Sequence, residues 1–254
     1  MFSILNNIPQ VTRNLLILNV LMFVITEFLA TQGIDLRSML AVHAINSPFF
    51  EPYQIVSHFF MHGDFIHLFM NMFGLLMFGA FLEKLWGAKR FFIFFFAAAI
   101  GSWLIDGTIN YIQIYHLKND LLANGFSASD FSRIHAYLLE HPGYYQNPGD
   151  GSHLSEIYVN YQMACLSNSL GASGGIFGIL AAFAILFPNT ELQMLFFPVP
   201  IKAKFLIGAY VAYELYMVFN PRMGDNVGHL AHIGGAIVGA ILVLIWRRNR
   251  KQFY

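Results

Sequence analysis

Six long apolar stretches constrain the fold of this chain more than any other feature of its sequence. A helix needs about 20 residues to cross the hydrocarbon core of a bilayer. Stretches of that length lie near residues 14–32, 66–84, 91–112, 166–187, 202–219 and 229–246. Because lipid offers the backbone no hydrogen-bond partners, each crossing must satisfy its own backbone, as a helix does. The sequence therefore predicts an all-α polytopic membrane bundle of six spans, which we number 1 to 6.

The composition agrees with this fold class and excludes others. Hydrophobic residues make up 57% of the 254 residues and charged residues 11%, far from the usual composition of a soluble domain. The formal net charge is zero, so the overall charge predicts no nucleic-acid partner, whereas membrane lipids are expected neighbours. We interpret 1–254 as a single membrane domain, since no second core is visible. The one cysteine, Cys165, is interpreted as a small packed side chain.

The distribution of basic residues predicts the orientation. Most of them flank one side of the predicted spans, namely Arg13, Lys84, Lys89, Arg90, Lys202, Lys204, Arg247, Arg248, Arg250 and Lys251. The other side has Arg37, Lys118, Arg133 and Arg222. By the positive-inside tendency we expect both ends of the sequence in the cytoplasm, as in a multi-pass protein of the cell (inner) membrane. Span 1 is followed by no clear cleavage site, so we expect a retained helix rather than a signal peptide.

Two connections differ from simple loops. The segment of about 33 residues between spans 1 and 2 is too apolar for a free loop and is expected to lie in the outer interface. The connection at about 113–162 is polar and is predicted to be an external insertion. Within it, the run 127–130 resembles a helix start, and Pro142-Gly143 resembles a stop.

Four polar side chains are predicted to lie at similar depth within the spans. Counting about 1.5 Å of rise per helical residue from the basic side puts Ser173 of span 4 and His232 of span 6 at roughly 22 Å. The same count puts Asn71 and His67 of span 2 at roughly 20 and 25 Å. Polar groups inside a membrane are unfavourable and are by default candidates for function. Because a serine hydroxyl needs an adjacent base to act as a nucleophile, Ser173 and His232 are the candidate pair.

Three motifs carry a resemblance to a known family. They are His58-x3-His62-x4-His67-x3-Asn71 in span 2, Gly171-x-Ser173-Gly174 in span 4 and His232-x-Gly234-Gly235 in span 6. In this order and at this spacing, the sequence resembles the rhomboid intramembrane serine proteases, in their bacterial form with six transmembrane helices. The resemblance covers all six spans.

The resemblance implies a serine endopeptidase that cuts peptide bonds in or near transmembrane segments. Ser173 would attack the scissile carbonyl and His232 would take its proton, in a dyad without a third acid. Asn71, His67 and the backbone N–H of Ser173 would hold the oxyanion, and Phe177 would pack against the catalytic imidazole. No cofactor and no metal is implied.

The same resemblance implies single-span membrane proteins as substrates, cut after small residues near the external face. Span 5 would be the side of substrate entry, although its aromatic side chains are equally explained by a lipid-facing belt. These side chains are Tyr210, Tyr213, Tyr216 and Phe219. The physiological substrate, the pathway and the oligomeric state are not determined by the sequence.

Small residues are expected to bring spans 4 and 6 into contact. Gly171, Gly174 and Gly235 are interpreted as packing glycines, because only a small residue lets two helix backbones touch. The sequence departs from the family in having Tyr53-Gln54 where many bacterial members have a Trp-Arg pair. It therefore does not predict how the loop that this arginine supports is anchored.

Several alternatives stay open at this stage. The chain could be a catalytically inactive relative that binds membrane helices, or a transporter, since intramembrane histidines and glutamates also occur in ion paths. His229, one turn from His232, is an alternative base. His58 and His62 have a spacing that could hold a metal, against a structural role at the outer end of span 2.

Three glutamates are given structural interpretations. Glu27 and Glu214 are expected to be hydrogen-bonded or protonated carboxyls facing another helix, with an ion path as the alternative. Glu83, at the basic end of span 2, is interpreted as structural.

Overall fold

The computed structural model of the protein describes residues 7–193, 199–222, 225 and 227–248. Helices dominate, and we number helices and strands in chain order. They are α1 (Gln10–Ala30), α2 (Leu36–Leu40), β1 (Val42–His43), α3 (Gln54–Ser57), α4 (Phe65–Trp86), α5 (Ala88–Ala123), α6 (Ala128–Glu140), α7 (His153–Leu166), β2 (Asn168–Ser169), α8 (Ser173–Leu186), β3 (Glu191–Leu192), β4 (Ile201–Lys202), α9 (Ala203–Phe219) and α10 (His229–Arg248). Two residues of the predicted basic cluster, Arg250 and Lys251, lie outside the described residues.

The helices confirm a polytopic all-α membrane protein. Within the described ranges, four helices are long and apolar enough to cross a bilayer, namely α1, α4, α5 and α10. They match predicted spans 1, 2, 3 and 6, except that α5 continues to Ala123, beyond the predicted end of span 3 near residue 112. Spans 4 and 5 correspond to shorter helices, α8 with 14 residues and α9 with 17. The chain is therefore a polytopic helical membrane protein, and two of the six predicted spans correspond to helices shorter than a full crossing usually requires.

The predicted start of span 4, near residue 166, is wrong. Leu166 ends α7, and the backbone is extended or turned until α8 begins at Ser173. Gly171 has a φ of +116°, a conformation that favours glycine because other residues carry a Cβ atom. An apolar run does not reveal such a break. The break makes Ser173 the first residue of a helix, where the backbone N–H has no partner within that helix.

One compact unit comprises residues 1–37, 59–105 and 170–254. The structure describes these ranges apart from the gaps given above. The core of this unit includes side chains from α1, α4, α5, α8, α9 and α10. Among its fully buried members are Leu75, Phe91, Phe94, Ile179 and Val243. Within α4, Leu75–Gly79 form a wider π turn, a local irregularity that is frequent near functional sites.

Glycines allow α8 and α10 of this unit to touch. A Cβ atom on Gly235 would lie 2.0 Å from the carbonyl oxygen of Gly174, and one on Gly239 would lie 2.5 Å from the Cα of Gly178. Both distances are far below van der Waals contact, so any larger residue would separate the two helices. The contact holds the start of α8 against the first half of α10.

The start of α1 is capped from another helix. Pro9 precedes this helix and provides no side-chain hydrogen bond. The buried Glu83 carboxylate of α4 instead accepts the backbone N–H groups of Val11 at 2.8 Å and Thr12 at 2.7 Å. A negative charge at a helix N-terminus is favourable, because the unpaired N–H groups gather there. The structural interpretation of Glu83 is confirmed.

The second compact unit comprises residues 38–58 and 106–169. Its core is built from the end of α5 together with α6 and α7, and it includes Leu121, Leu138, Tyr161 and Cys165. Strand β1 pairs antiparallel with β2. The predicted helix start at 127–130 is confirmed, because Ser127 and Asp130 form a capping box at the first turn of α6.

Gln54 anchors the loop of the second unit that the sequence left unexplained. Its amide nitrogen donates to the carbonyl oxygens of Met39 at 3.3 Å and Phe49 at 3.0 Å. Its amide oxygen accepts from the backbone of His43 at 3.3 Å and Glu51 at 3.1 Å. A buried glutamine with four bonds thus anchors a loop for which the family resemblance suggests an arginine.

Candidate active site

Ser173 lies at a break in the chain that exposes backbone donors. It is 8% exposed and is the first residue of α8. The early N–H groups of a helix point outward along its axis without intrahelical partners. The backbone N–H of Ser173 is therefore a donor next to its own hydroxyl, in the arrangement that a tetrahedral oxyanion requires.

Two side-chain donors from α4 lie close to Gly171, which is two residues before Ser173. A Cβ atom on Gly171 would lie 2.9 Å from Nε2 of His67 and 3.6 Å from Nδ2 of Asn71. The Nδ2 atom of Asn71 is buried and has no hydrogen-bond partner in the described structure. Leaving a buried donor unpaired costs about 1–3 kcal/mol, so an acceptor placed beside this amide would form a favourable hydrogen bond.

The local structure sets the orientation of His67. Asp64 caps α4 by accepting the backbone N–H of His67 at 2.8 Å. The backbone N–H of Gly63 points at Nδ1 of the same ring from 3.5 Å. With Nδ1 as an acceptor, the ring proton is on Nε2, the nitrogen nearest Gly171. His67 thus presents a donor on the same side as Asn71.

His232 lies against the face of α8 that begins with Ser173. Its ring stacks on Phe177 with centroids 4.1 Å apart and planes 10° apart. Phe177 and Ser173 are four residues apart, and residues at this spacing share one helix face. The hydroxyl of Ser102 donates to the carbonyl oxygen of Ala231 at 2.5 Å, which fixes the start of α10.

The described residues include no hydrogen bond between Ser173 and His232 in this resting geometry. Such bonds are often long without substrate and shorten in the reacting complex. The structure brings together all four of the predicted polar residues in one compact unit, from α4, α8 and α10.

Glu214 of α9 was not predicted to belong to the site, and the structure places it there. Its Oε2 atom accepts from Nδ1 of His232 at 2.9 Å and from Nδ1 of His229 at 2.6 Å. The prediction of a hydrogen-bonded carboxyl is confirmed, but the family resemblance implied no third acid beside the histidine. A glutamate in span 5 and two histidines three residues apart in span 6 were the only signal in the sequence.

His229 is less suited than His232 to be the base. Its Nδ1 faces Glu214 and its Nε2 faces a carboxylate oxygen of Asp225 at 3.2 Å. Neither ring nitrogen is left for a serine hydroxyl. His232 has one nitrogen on a carboxylate and the other available.

Glu214, His229 and His232 form the one group of three or more clustered potential metal ligands in the described part of the chain. Ligand atoms of Glu214, His229 and His232 lie within 4.8 Å of one another, and two histidines with one glutamate resemble a catalytic zinc site in composition. A metal there would displace both hydrogen bonds to Glu214. His58 and His62, the pair considered from the sequence, do not belong to this group.

The expectation that His58 and His62 lie on the helix of span 2 is wrong, because both are buried in the chain before α4 begins at Phe65. Nδ1 of His58 bonds to the carbonyl oxygen of Gln54 at 2.6 Å. The ring of His62 meets His67 edge-on with centroids 5.0 Å apart. Burial, together with the nearby His67 ring, lowers the pKa of His62 to about 3. His62 is therefore neutral at physiological pH and adds no charge beside His67.

Glu27 also has the partner expected for an intramembrane carboxyl. It forms an ion pair with Arg37, and Arg37 donates in addition to the carbonyl oxygen of His62 at 3.1 Å. This pairing joins the end of α1 to the loop that leads into α4.

Comparison with known proteins agrees with this arrangement. A family model described as "Rhomboid domain" matches residues 50–149 and 150–249. The chain belongs to the rhomboid family. Rhomboid protein 1, mitochondrial, of Saccharomyces cerevisiae is 28% identical over 192 residues, which are 74% of this chain and 40% of that protein. RHOMBOID-like protein 12, mitochondrial, of Arabidopsis thaliana is 25% identical over 197 residues, which are 78% of this chain and 46% of that protein.

These matches include about three quarters of this chain but less than half of each relative. The chain spans less than half the length of the two curated relatives described above. Both are named as mitochondrial proteins, so the matches support the rhomboid family and not its bacterial form in particular.

Proposed function

We propose that this rhomboid family member is an intramembrane serine endopeptidase. Ser173 is the nucleophile and His232 the general base. The observation that supports this most is the arrangement around the start of α8. There, a serine at a helix N-terminus, an imidazole stacked on Phe177 and the unpaired amide of Asn71 share one compact unit.

The proposed reaction uses these groups in two halves. His232 accepts the hydroxyl proton of Ser173 as the oxygen attacks the scissile carbonyl, and it later returns the proton to the leaving amine. The negative oxygen of the tetrahedral intermediate accepts from the backbone N–H of Ser173, Nδ2 of Asn71 and Nε2 of His67. Water then attacks the acyl carbon while His232 accepts its proton; the bond between that carbon and the Ser173 oxygen breaks, His232 returns the proton to Ser173, and the new carboxyl terminus leaves.

The substrates are proposed to be single-span membrane proteins. A peptide bond within a helix is shielded, and unwinding it in lipid leaves backbone groups unpaired at several kcal/mol each. The site would offset this loss with its own donors. Entry past α9 is consistent with the ring of Tyr210, which lies 5.0 Å from Phe177, and with Tyr213, Tyr216 and Phe219, which are exposed.

We also propose an orientation. Both ends of this sequence would lie on the cytoplasmic side of a cell membrane, with the site opening to the external side, and the distribution of basic residues supports this orientation. The names of the relatives point to a mitochondrial membrane instead. Fractionation of cells that express a tagged protein tests the membrane, and protease protection of a C-terminal tag tests the orientation. A C-terminal tag that is cut from outside would reverse the proposed orientation.

The activity is tested with purified protein in detergent and a single-span membrane protein as substrate. We expect wild type to cleave the substrate and to react with a fluorophosphonate probe. Ser173→Ala should lose both activities, with cleavage reduced by at least about 10⁴-fold. Ser132→Ala, at an exposed serine of α6, is the matched control and should behave as wild type.

The alternatives give different results in the same test. An inactive relative would retain the substrate helix on co-purification without cutting or labelling. A transporter would show none of the three. Cleavage by Ser173→Ala at the wild-type rate would assign the nucleophile to another residue.

A further inference from the structure

A buried carboxylate bonds to one ring nitrogen of the proposed base, His232. Glu214 is 2% exposed, and its Oε2 atom lies 2.9 Å from Nδ1 of His232. The stacked Phe177 ring covers one face of the same imidazole. The ring is therefore restrained both in its plane and across it.

This contact selects one tautomer of His232. An ionised carboxylate only accepts hydrogen bonds, so Nδ1 must carry the proton. Nε2 then keeps its lone pair and can take a proton from a hydroxyl. In the opposite tautomer Nε2 would be a donor and could not act as a base.

His229 is the second histidine that bonds to Glu214. The two ring nitrogens of His229 face carboxylate oxygens of Glu214 and Asp225. An imidazole can donate from both nitrogens only as the imidazolium. A cation at His229 partly balances Glu214, which makes a buried carboxylate tolerable beside a neutral His232.

We propose that Glu214 is a positioning residue that holds His232 in its Nδ1–H tautomer and orients Nε2 toward Ser173. This inference rests on the proposed protease function and extends it, since the family resemblance alone implies a serine and a histidine without an acid. Glu214 acts through His232 and does not touch the substrate. Three helices would thus contribute a serine, a histidine and a glutamate with the same roles as in the Ser-His-acid triads of other serine hydrolases.

The first test reads the tautomer without any need for activity. Nitrogen NMR of protein labelled in histidine distinguishes a protonated from an unprotonated ring nitrogen, and His232→Ala assigns the signal. We expect wild type to show Nδ1 protonated and Nε2 unprotonated at His232. In Glu214→Gln, whose amide can donate as well as accept, we expect the signal to shift toward the opposite tautomer.

The second test measures turnover. We expect Glu214→Gln to lower kcat by about 10²–10⁴-fold, as loss of the acid does in other serine proteases, with little change in KM. Glu214→Asp retains the carboxylate and should recover the tautomer and most of kcat. Recovery by a shorter acid would not be expected if Glu214 merely filled space.

A matched control separates this role from a structural one. Glu83 is also a buried carboxylate of a membrane helix, but it bonds to backbone N–H groups instead of a histidine. Glu83→Gln should lower the midpoint of thermal unfolding while leaving kcat and the His232 tautomer unchanged. If Glu83→Gln reduced kcat as much as Glu214→Gln, general destabilisation would explain both and the inference would fail.

The outcomes distinguish the inference from the proposed function. A protein that neither cleaves nor labels, yet loses the Nδ1–H tautomer in Glu214→Gln, retains the inference and loses the function. A protein whose Glu214→Gln variant keeps both tautomer and kcat retains the function and loses the inference. Treatment of wild type with EDTA should change neither the His232 tautomer nor kcat. A change in both would indicate that Glu214 and the histidines bind a metal instead of each other.

Discussion

At the residue scale, the site is defined by groups whose hydrogen-bonding capacity is left unused. Nδ2 of Asn71 is buried without a partner in the described structure, although most buried polar groups in proteins are paired. Nε2 of His67 faces the same point near Gly171. Two donors that converge where no acceptor is bound are typical of a site that stabilises a transient negative charge.

This arrangement predicts the effect of removing one donor. Asn71→Ala should lower kcat by about 10²–10³-fold with little change in KM, because the lost bond forms mainly in the transition state. The measurement is steady-state cleavage of a single-span substrate in detergent. Asn124→Ala, at an exposed asparagine that directly follows α5, serves as the control. Equal kcat values for the two variants would contradict the proposed role of Asn71 in binding the oxyanion.

At the element scale, helices are fixed by groups that lie far away in the sequence. The N-terminus of α1 is capped by Glu83, 72 and 71 residues from its two partners. Helices α8 and α10 touch through Gly174 and Gly235. In each case, the helix itself follows from local apolar sequence, while its neighbours set where it begins and how closely it packs.

The distant cap predicts a loss of stability. In Glu83→Gln, the new amide group places an NH₂ opposite a backbone N–H, so one donor of α1 is left unpaired. We expect the free energy of unfolding to fall by about 1–3 kcal/mol. Thermal unfolding in detergent gives the comparison, with Glu191→Gln, at an exposed glutamate of β3, as control. A midpoint equal to that of the control would show that the cap does not stabilise α1.

At the scale of the whole molecule, each of the two compact units has a core of its own. The core of the second unit contains Cys165, which is fully buried with no disulfide. Burial raises the pKa of the Cys165 thiol from 9.0 to about 11. Because the thiolate is the reactive form, this thiol should be inert in the folded unit.

Cys165 therefore reports on the folding of the second unit. At pH 8, alkylation by iodoacetamide should be slow in the folded protein and fast after denaturation. The folded pKa lies above the unfolded one, so the stability contributed by the protonated thiol is present below about pH 9 and is lost as the pH rises through about 11. Mass spectrometry after a timed pulse gives the rates. Equally fast alkylation of folded and denatured protein would contradict the burial of Cys165.

Much of this architecture could be predicted from the sequence because its signals are local. Apolar length located the helices to within a few residues at α4 and α9, and the residues 127–130 located the start of α6. The motifs around Ser173 and His232 identified the family that the comparisons show. A long apolar run also concealed the break before α8, because Gly171 and the pairing of β1 with β2 interrupt the helix without a change in hydropathy.

Only the tertiary structure decided which polar groups meet. The sequence established an all-α membrane protein and named a serine and a histidine, since period, length and motif are properties of neighbouring residues. It could not show that Glu214 bonds to His232, that Glu83 caps α1 or that Gln54 anchors a loop. Those contacts join residues 18, 72 and 15 positions apart, and a hydrogen bond depends on distance and direction in space, which helix packing sets and sequence spacing does not.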